Sequence, residues 1–214
     1  MAGSQLNLPN TITIGRIAAC PAIFLLALAP TFGSQIAAFV LFLAAAFSDL
    51  WDGYVARKHS LVTDVGKLLD PLADKLLLAS TLVPFYIISH RPGSAGMIPW
   101  WTVLPLWVMI VVLGREVVVT LFRQWAVRRE VVIAAGTSGK YKTLVQNLFS
   151  GGLLFWYPIQ SLARDVGWNS VPWRAFTAAH ATWIGLTLSM AIILTVYSMI
   201  DYFWSYRALI GVRD

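Results

Sequence analysis

Apolar segments about as long as a bilayer is thick recur along this chain, and they restrict the folds open to it. A helix that crosses a bilayer needs roughly 20 apolar residues. Segments of that kind cover residues 11–29, 34–56, 67–88, 100–126, 141–162 and 178–204. Only 12% of the residues are charged, about half of the share usual in soluble domains, and this excludes an ordinary soluble fold. We therefore expect an all-α, polytopic membrane protein of six transmembrane helices, with one domain over residues 1–214 and a short interfacial segment at 1–10.

Basic residues are distributed unevenly between the two sides of this predicted bundle. The connections 30–34, 89–99 and 163–177 hold only three basic residues, whereas the opposite side holds most of the others. Cytoplasmic loops of membrane proteins are enriched in Lys and Arg, so the sequence predicts that both termini face the cytoplasm. No predicted soluble element gathers these charges, and a nucleic-acid partner is therefore not expected. Anionic membrane lipids or phosphorylated substrates explain the net charge of +6 better.

Four carboxylates stand where the second predicted span ends and the third begins. Asp49 and Asp52 are three residues apart, and Asp70 and Asp74 are four apart, so each pair shares one helix face. A short loop joins the two spans, which makes them antiparallel neighbours and brings both pairs to the same depth. Ionisable groups in membrane helices are costly and usually functional. We expect the four acids to form one site on the cytoplasmic side.

Such a group of acids predicts a metal site. Four neighbouring carboxylates cannot all remain ionised unless a cation neutralises them. Hard oxygen ligands without His or Cys nearby favour Mg²⁺ or Mn²⁺ over zinc. Two ions would balance four charges, and paired metals suit displacement at phosphorus.

The residues beside the acids suit a phosphate-bearing ligand. Gly53 and Ala56 remove bulk from the helix face, so that a nucleotide can approach the backbone. Arg57 offers a planar fork for phosphate oxygens. Thr63 is a candidate hydroxyl donor, and Gly66 leaves room for a ligand at the start of the third span.

Two other interpretations of the acids remain open. In a purely structural interpretation, the acids form ion pairs with Arg57, Lys67 and Lys75. Ion pairs, however, explain neither the shared helix faces nor the small residues beside the acids. In a cation transporter, carboxylates lie near the bilayer midplane along a polar path. Here they cluster at one end of the spans, which favours an enzyme.

The spacing D-x2-D-G-x2-A-R-x8-G-x3-D-x3-D resembles the motif of the CDP-alcohol phosphotransferase family. All eight fixed positions match: Asp49, Asp52, Gly53, Ala56, Arg57, Gly66, Asp70 and Asp74. The resemblance extends to the six-helix pattern, and it implies the fold of that family, a catalytic transmembrane domain and a homodimer.

By this resemblance, an alcohol displaces CMP from a CDP-linked lipid. Asp49, Asp52 and Asp70 would bind metal, and Asp74 would bind metal and act as general base. The resemblance assigns the CDP moiety to Gly53, Ala56 and Arg57. The segment P-N-T-I-T-I-G-R also resembles the start of the same family, which places Asn10, Thr13 and Arg16 near the point where the lipid nucleotide enters.

Four cations in the later spans predict that the acceptor alcohol carries its own phosphate. They are Arg115, Arg123, Lys140 and Lys142. Glycerol 3-phosphate or inositol phosphate fits these cations better than serine or choline. The alternative is that Arg115 forms a packing ion pair with Glu116 and that the lysines face lipid headgroups.

Two segments narrow the resemblance to one branch of the family. L-G-R-E-V-V-V-T-L-F-R-Q-W-A-V and S-G-K-Y-K-T-L-V-Q resemble bacterial phosphatidylglycerophosphate synthases. That branch transfers the phosphatidyl group of CDP-diacylglycerol to sn-glycerol 3-phosphate in the bacterial inner membrane. Inositol phosphate, serine or a phospholipid remain alternative acceptors.

Other polar residues are not assigned to the site. Asp201 is isolated among aromatic residues in the last span, and we interpret it as a hydrogen-bonded side chain. His59, His90 and His180 are far apart in the predicted topology, so no zinc site is expected.

Overall fold

A computed structural model describes residues 7–58, 63–92, 103–129 and 137–207 of the chain. Every regular element within these ranges is an α-helix. The six helices are α1 (Leu8–Leu28), α2 (Phe32–Lys58), α3 (Asp64–Ser89), α4 (Leu106–Val127), α5 (Thr137–Val166) and α6 (Val171–Ser205). Each helix corresponds to one predicted span, so the predicted all-α fold is confirmed.

Four of these helices are long and apolar enough to cross a bilayer. The qualifying segments are Leu8–Leu28, Phe32–Asp49, Leu69–Ser89 and Val171–Ser205. α4 and α5 are not among them; α4 contains Arg115, Glu116 and Arg123, and α5 contains Lys142 and Gln146. The chain is a multi-pass membrane protein, and the two helices outside this set carry candidate site residues.

The start of α4 differs from the prediction. The apolar pattern predicts helix from residue 100, but residues 103–105 are not helical and α4 begins at Leu106. Pro105 is the N-cap residue. Because a proline biases the preceding residue toward extended backbone, the helix begins only after Pro105.

The start of α6 also differs, in the opposite direction. The pattern predicts helix from residue 178, but α6 begins at Val171. The Ser170 hydroxyl accepts a hydrogen bond from the Trp173 backbone N–H at 3.3 Å. Pro172 occupies the first turn, where its missing N–H costs nothing. Capping chemistry therefore extends the helix beyond its apolar segment.

A tight turn joins α5 to α6 and replaces most of the predicted loop 163–177. Gly167 has a φ of 72°, a conformation that favours glycine. Its N–H donates to the Arg164 carbonyl at 3.2 Å, and the Trp168 N–H donates to the Ala163 carbonyl at 2.9 Å. This pair of bonds is the Schellman arrangement, which ends α5 and reverses the chain.

The helices alternate in direction, so one end of the bundle gathers the starts of α1, α3 and α5 and the ends of α2, α4 and α6. We call this the polar end. α1 packs against α2 and α3, α5 packs against α6 and α2, and α4 packs against α6 and α3. At the opposite end, Arg91 beyond α3 donates to the Leu28 carbonyl of α1 at 3.0 Å. The core between the helices includes Phe42, Phe85 and Leu153.

Two polar contacts inside this core hold α5 to its neighbours. The Thr81 and Ser150 hydroxyls of α3 and α5 lie 3.1 Å apart, and Gln146 Nε2 donates to Thr195 Oγ1 of α6 at 3.2 Å. Such bonds between membrane helices stabilise their packing. They fix the rotation of α5 and thereby direct Lys142 toward α4.

Candidate active site

Three of the four predicted acids line one cavity at the polar end. Asp49 comes from the end of α2, and Asp70 and Asp74 come from successive turns of α3. The Asp49 and Asp74 side chains are 41% and 45% exposed, so their oxygens remain accessible to a ligand. The structure therefore brings acids from two helices to one accessible surface.

A buried guanidinium links two of these acids. Arg16 Nη1 of α1 lies 2.5 Å from Asp49 Oδ1 and 3.5 Å from Asp74 Oδ1. Because one nitrogen contacts both oxygens, the separation of Asp49 Oδ1 and Asp74 Oδ1 cannot exceed the sum of these two distances. The Arg16 side chain itself is 0% exposed. Its charge therefore acts on the acids at short range, with no water between.

Two further residues of α1 contact the start of α3. Thr13 Oγ1 donates to Asp70 Oδ1 at 2.9 Å. Asn10 Nδ2 donates to Thr63 Oγ1 at 2.8 Å, and Thr63 is the N-cap of α3. The residues that the sequence places near the incoming lipid nucleotide are thus engaged with the protein's own acids and helix cap.

Gly66 makes this approach of α1 to α3 possible. Its N–H donates to Thr63 Oγ1 at 3.0 Å within the cap. A Cβ at this position would lie 2.7 Å from Asn10 Oδ1 and 3.2 Å from Thr63 Oγ1. The room that the sequence analysis reserved for a ligand beside Gly66 holds the Asn10 side chain.

A basic group lies on the other wall of the same cavity. Arg115 and Arg123 come from α4 and Lys142 comes from α5. The Glu116 carboxylate accepts hydrogen bonds from Lys142 Nζ and, at 3.4 Å, from Arg115 Nη1. Both cations are buried, so Glu116 supplies the counter-charge that they need.

Arg123 is held differently. Its guanidinium carbon lies 5.6 Å from the centre of the Tyr202 ring of α6, a cation–π contact. Within the described part of the chain, its buried Nε has no hydrogen-bond partner. Arg123 lines the cavity beside this ring.

Among the cavity residues that the sequence analysis did not assign to the site are Lys75, Glu116, Asp201 and Tyr202. Glu116 has a sequence signal, because it stands seven residues before Arg123 and hence on the same helix face. Lys75 and Asp201 have none, since neighbouring residues of a helix point in different directions. Only the packing of α3 and α6 shows that they line the cavity.

The cavity, of about 1120 Å³, continues from these charged walls into the apolar bundle. Its deeper part, which we call the apolar arm, runs between α2, α5 and α6. The arm is lined by Phe39, Phe42, Phe47, Gly151, Gly152, Phe155 and Trp183. One continuous space therefore joins acids, cations and a hydrocarbon-like surface.

Several predicted site residues cannot be placed by their side chains. Asp52, Gly53, Ala56 and Arg57 belong to the helical backbone of α2, and Lys140 to that of α5. Their side chains lie outside the described residues.

The donor set suits a hard divalent cation. Asp49, Asp70 and Asp74 offer carboxylate oxygens to one cavity, the ligand type that Mg²⁺ and Mn²⁺ prefer. Among the residues that the structure describes, no three metal-binding side chains stand close enough to form a complete ligand group. The fourth predicted ligand, Asp52, is not among the side chains described.

The chain is similar to known membrane transferases. A family model described as CDP-alcohol phosphatidyltransferase matches residues 6–204. A CDP-diacylglycerol–glycerol-3-phosphate 3-phosphatidyltransferase of Bacillus subtilis is 33% identical over 92% of this chain and 93% of that protein. Transferase 2 of the same name from Arabidopsis thaliana is also 33% identical, over 68% of this chain and 63% of that protein. A CMP-forming cardiolipin synthase of Oryza sativa is 36% identical over 66% of this chain and 43% of that protein.

Proposed function

Because the chain belongs to the CDP-alcohol phosphatidyltransferase family, we propose that it transfers the phosphatidyl group of CDP-diacylglycerol to sn-glycerol 3-phosphate, releasing CMP. The observation that carries this proposal is one cavity with acids on one wall, Arg115, Arg123 and Lys142 on the other, and an apolar arm behind them. Such a cavity suits a lipid diphosphate and a phosphorylated alcohol at the same time. The names of the Bacillus and Arabidopsis relatives point to the same two substrates.

The reaction requires one bond to form and one to break. The acceptor hydroxyl oxygen bonds to the phosphorus that bears the diacylglycerol, and the bond from this phosphorus to the bridging oxygen of the diphosphate breaks. CMP leaves with the bridging oxygen. The hydroxyl proton passes to the Asp74 carboxylate, which faces the cavity and acts as general base.

Members of this family generally use divalent metal ions. We propose that Asp49, Asp52, Asp70 and Asp74 hold Mg²⁺ or Mn²⁺, with two ions when the site is full. The bound metal would neutralise charge on the diphosphate and on the leaving CMP.

The two substrates occupy different walls of the cavity. The nucleotide lies along the end of α2, on Gly53, Ala56 and Arg57, as the family motif implies. Thr63 and Gly66 support it indirectly, since their described contacts are with Asn10 and each other. The acceptor phosphate lies against the basic wall, where Arg123 lines the cavity and Lys140 of the next helix adds charge.

The apolar arm receives an acyl chain of the donor. Phe39 lies ten residues before Asp49 on α2, so the arm reaches about 15 Å from the acids at 1.5 Å per residue. A lipid whose diphosphate meets the acids can place a chain there without leaving the bilayer.

The surrounding membrane is the bacterial inner membrane, with the polar end toward the cytoplasm. The excess of Lys and Arg at that side supports this orientation. In this orientation soluble glycerol 3-phosphate reaches the cavity from the cytoplasm, whereas the lipid donor reaches it from within the bilayer. The unit of function is a homodimer of single-domain subunits, as the family resemblance implies.

A second candidate acceptor is a phospholipid. The similarity to a CMP-forming cardiolipin synthase supports this alternative. Its acceptor would present a phosphodiester rather than a phosphomonoester to the basic wall, and would need a second apolar path into the cavity.

An acceptor panel with the purified protein tests the proposal. CDP-diacylglycerol would be offered with glycerol 3-phosphate, glycerol, inositol 1-phosphate, serine or phosphatidylglycerol, and the lipid products identified by mass spectrometry. We expect phosphatidylglycerophosphate and stoichiometric CMP with glycerol 3-phosphate, and little product with glycerol because it lacks the phosphate. Cardiolipin formed from phosphatidylglycerol, with no product from glycerol 3-phosphate, would overturn the proposed acceptor.

A further inference from the structure

We propose that Asn10, Thr13 and Arg16 form a positioning ridge on α1 that orients the catalytic acids, and that Thr13 sets the metal affinity of the site through Asp70. This inference rests on the proposed metal-dependent function and goes beyond it. It assigns to α1 a role toward the protein's own carboxylates, in place of the nucleotide contact that the sequence resemblance suggests. We call these three residues the α1 ridge.

The α1 ridge has one face and three separate targets. Its members are three residues apart, so they lie along one side of the helix, and all three are almost completely buried. Asn10 contacts the cap of α3, Thr13 contacts Asp70, and Arg16 contacts the acids of both α2 and α3. Because its polar side chains contact α2 and α3 along its length, this helix face holds the acids in position.

The Thr13 contact fixes one oxygen of Asp70. An ionised carboxylate only accepts hydrogen bonds, so the hydroxyl is the donor at 2.9 Å. The Pro9 carbonyl lies 3.1 Å from the same hydroxyl, but a carboxylate is the stronger acceptor for its single proton. Holding Oδ1 by a bond fixes the rotation of the carboxyl group and leaves Oδ2 to face a cation in the cavity.

The Arg16 contact fixes the spacing between helices. Its guanidinium joins Asp49 of α2 to Asp74 of α3 and has no exposed surface. The fork of an Arg holds carboxylates in defined directions, which a Lys cannot do. Two acids that would otherwise repel each other are therefore held side by side before any metal arrives.

The experiment compares Mn²⁺ affinity in Thr13→Val, Thr13→Ser and wild type. Full-length protein in nanodiscs would be titrated with Mn²⁺ in the absence of nucleotide, and free Mn²⁺ measured by electron paramagnetic resonance. We expect about tenfold weaker binding or more in Thr13→Val, as for other residues that orient metal ligands, and near wild-type binding in Thr13→Ser. Thr11→Val is the matched control, because the exposed Thr11 hydroxyl donates, among the described residues, to the Asn7 carbonyl in its own helix turn.

The outcomes separate this inference from the function on which it rests. If wild type binds Mn²⁺, Asp70→Asn loses it and Thr13→Val retains wild-type affinity, the inference is wrong while the proposed metal site stands. If wild type binds no Mn²⁺, both are overturned. If Thr13→Val does not fold, Thr13→Ala removes the same hydroxyl with less bulk and carries the same expectation against Thr13→Ser. Weaker CDP-diacylglycerol binding without any change in Mn²⁺ affinity would support a nucleotide contact instead and overturn the inference.

Discussion

Asp74 is the acid that we propose both to bind metal and to act as base toward the acceptor. Its neighbour in sequence, Lys75, and the cations of α4 line the same space. Arg16 lies 3.5 Å from one of its oxygens, compared with 2.5 Å for Asp49. The Asp74 carboxylate is thus in looser contact with this guanidinium than the Asp49 carboxylate is.

Asp74→Asn is therefore expected to lower CMP release by at least about 100-fold, since an amide cannot serve as the base. The protein should remain folded and should still bind CDP-diacylglycerol, which a binding assay with labelled lipid would measure. Asp165→Asn, at an exposed acid near the opposite end of α5, is the matched control. Normal turnover in Asp74→Asn would remove Asp74 from the role of base.

Glu116 is the residue on which the order of the basic wall depends. Glu116→Gln would leave Lys142 and Arg115 buried beside each other without a counter-charge. We expect the KM for glycerol 3-phosphate to rise about tenfold, equivalent to about 1.4 kcal/mol, with a smaller change in kcat. The KM for CDP-diacylglycerol should stay unchanged. An equal rise in both KM values would indicate general disruption and contradict a role specific to the acceptor.

For single residues, the sequence predicted which side chains belong to the site better than it predicted their contact partners. The i, i+4 spacing of Asp70 and Asp74 predicted a shared face, and both line the cavity. The partners of Thr13 and Arg16 could not be predicted, because a polar residue in an apolar helix suits a ligand and a neighbouring helix equally well. Of the two partners of Glu116, only Arg115 was predicted, because it is adjacent in sequence. Lys142 comes from another helix and was not predicted as a partner.

The existence of each helix could be predicted from the length of its apolar segment. All six helices were predicted, because a segment in lipid must satisfy its backbone internally and a helix does so. Their ends were less predictable, since Pro105 and Ser170 act through local capping that apolar content does not report. The rotation of α1 about its axis, which determines what the α1 ridge contacts, depends on packing against both α2 and α3.

Substitution of Gly66 tests how closely α1 must approach α3. In Gly66→Ala the new Cβ would displace the buried Asn10 amide from its bond to Thr63, which costs about 1–3 kcal/mol and exceeds a gain in helix propensity of at most about 1 kcal/mol. We expect a lower thermal unfolding temperature in detergent. Gly15→Ala on α1, where a Cβ would meet nothing within 4 Å, should unfold at or above the wild-type temperature. Equal unfolding temperatures in the two variants would show that the contact contributes little.

At the scale of the whole molecule, the alternating helices place every described charged residue of the cavity at one end and the apolar arm behind it. A soluble acceptor and a bilayer lipid can then meet at a single boundary. α4 and α5 carry the basic wall, so each places buried charged side chains within the bundle. Their polar character is tolerated because those side chains face the cavity and each other, away from lipid.

This arrangement predicts a sided dependence on metal. EDTA does not cross membranes, so in sealed inside-out vesicles supplied with glycerol 3-phosphate it should stop CMP release, and excess Mg²⁺ or Mn²⁺ should restore it. In right-side-out vesicles loaded with glycerol 3-phosphate and Mg²⁺, external EDTA should have no effect, because the polar end faces the lumen. Inhibition only in the right-side-out vesicles would reverse the proposed orientation. Full activity with EDTA in detergent, where both faces are open, would contradict the role of the acids as metal ligands.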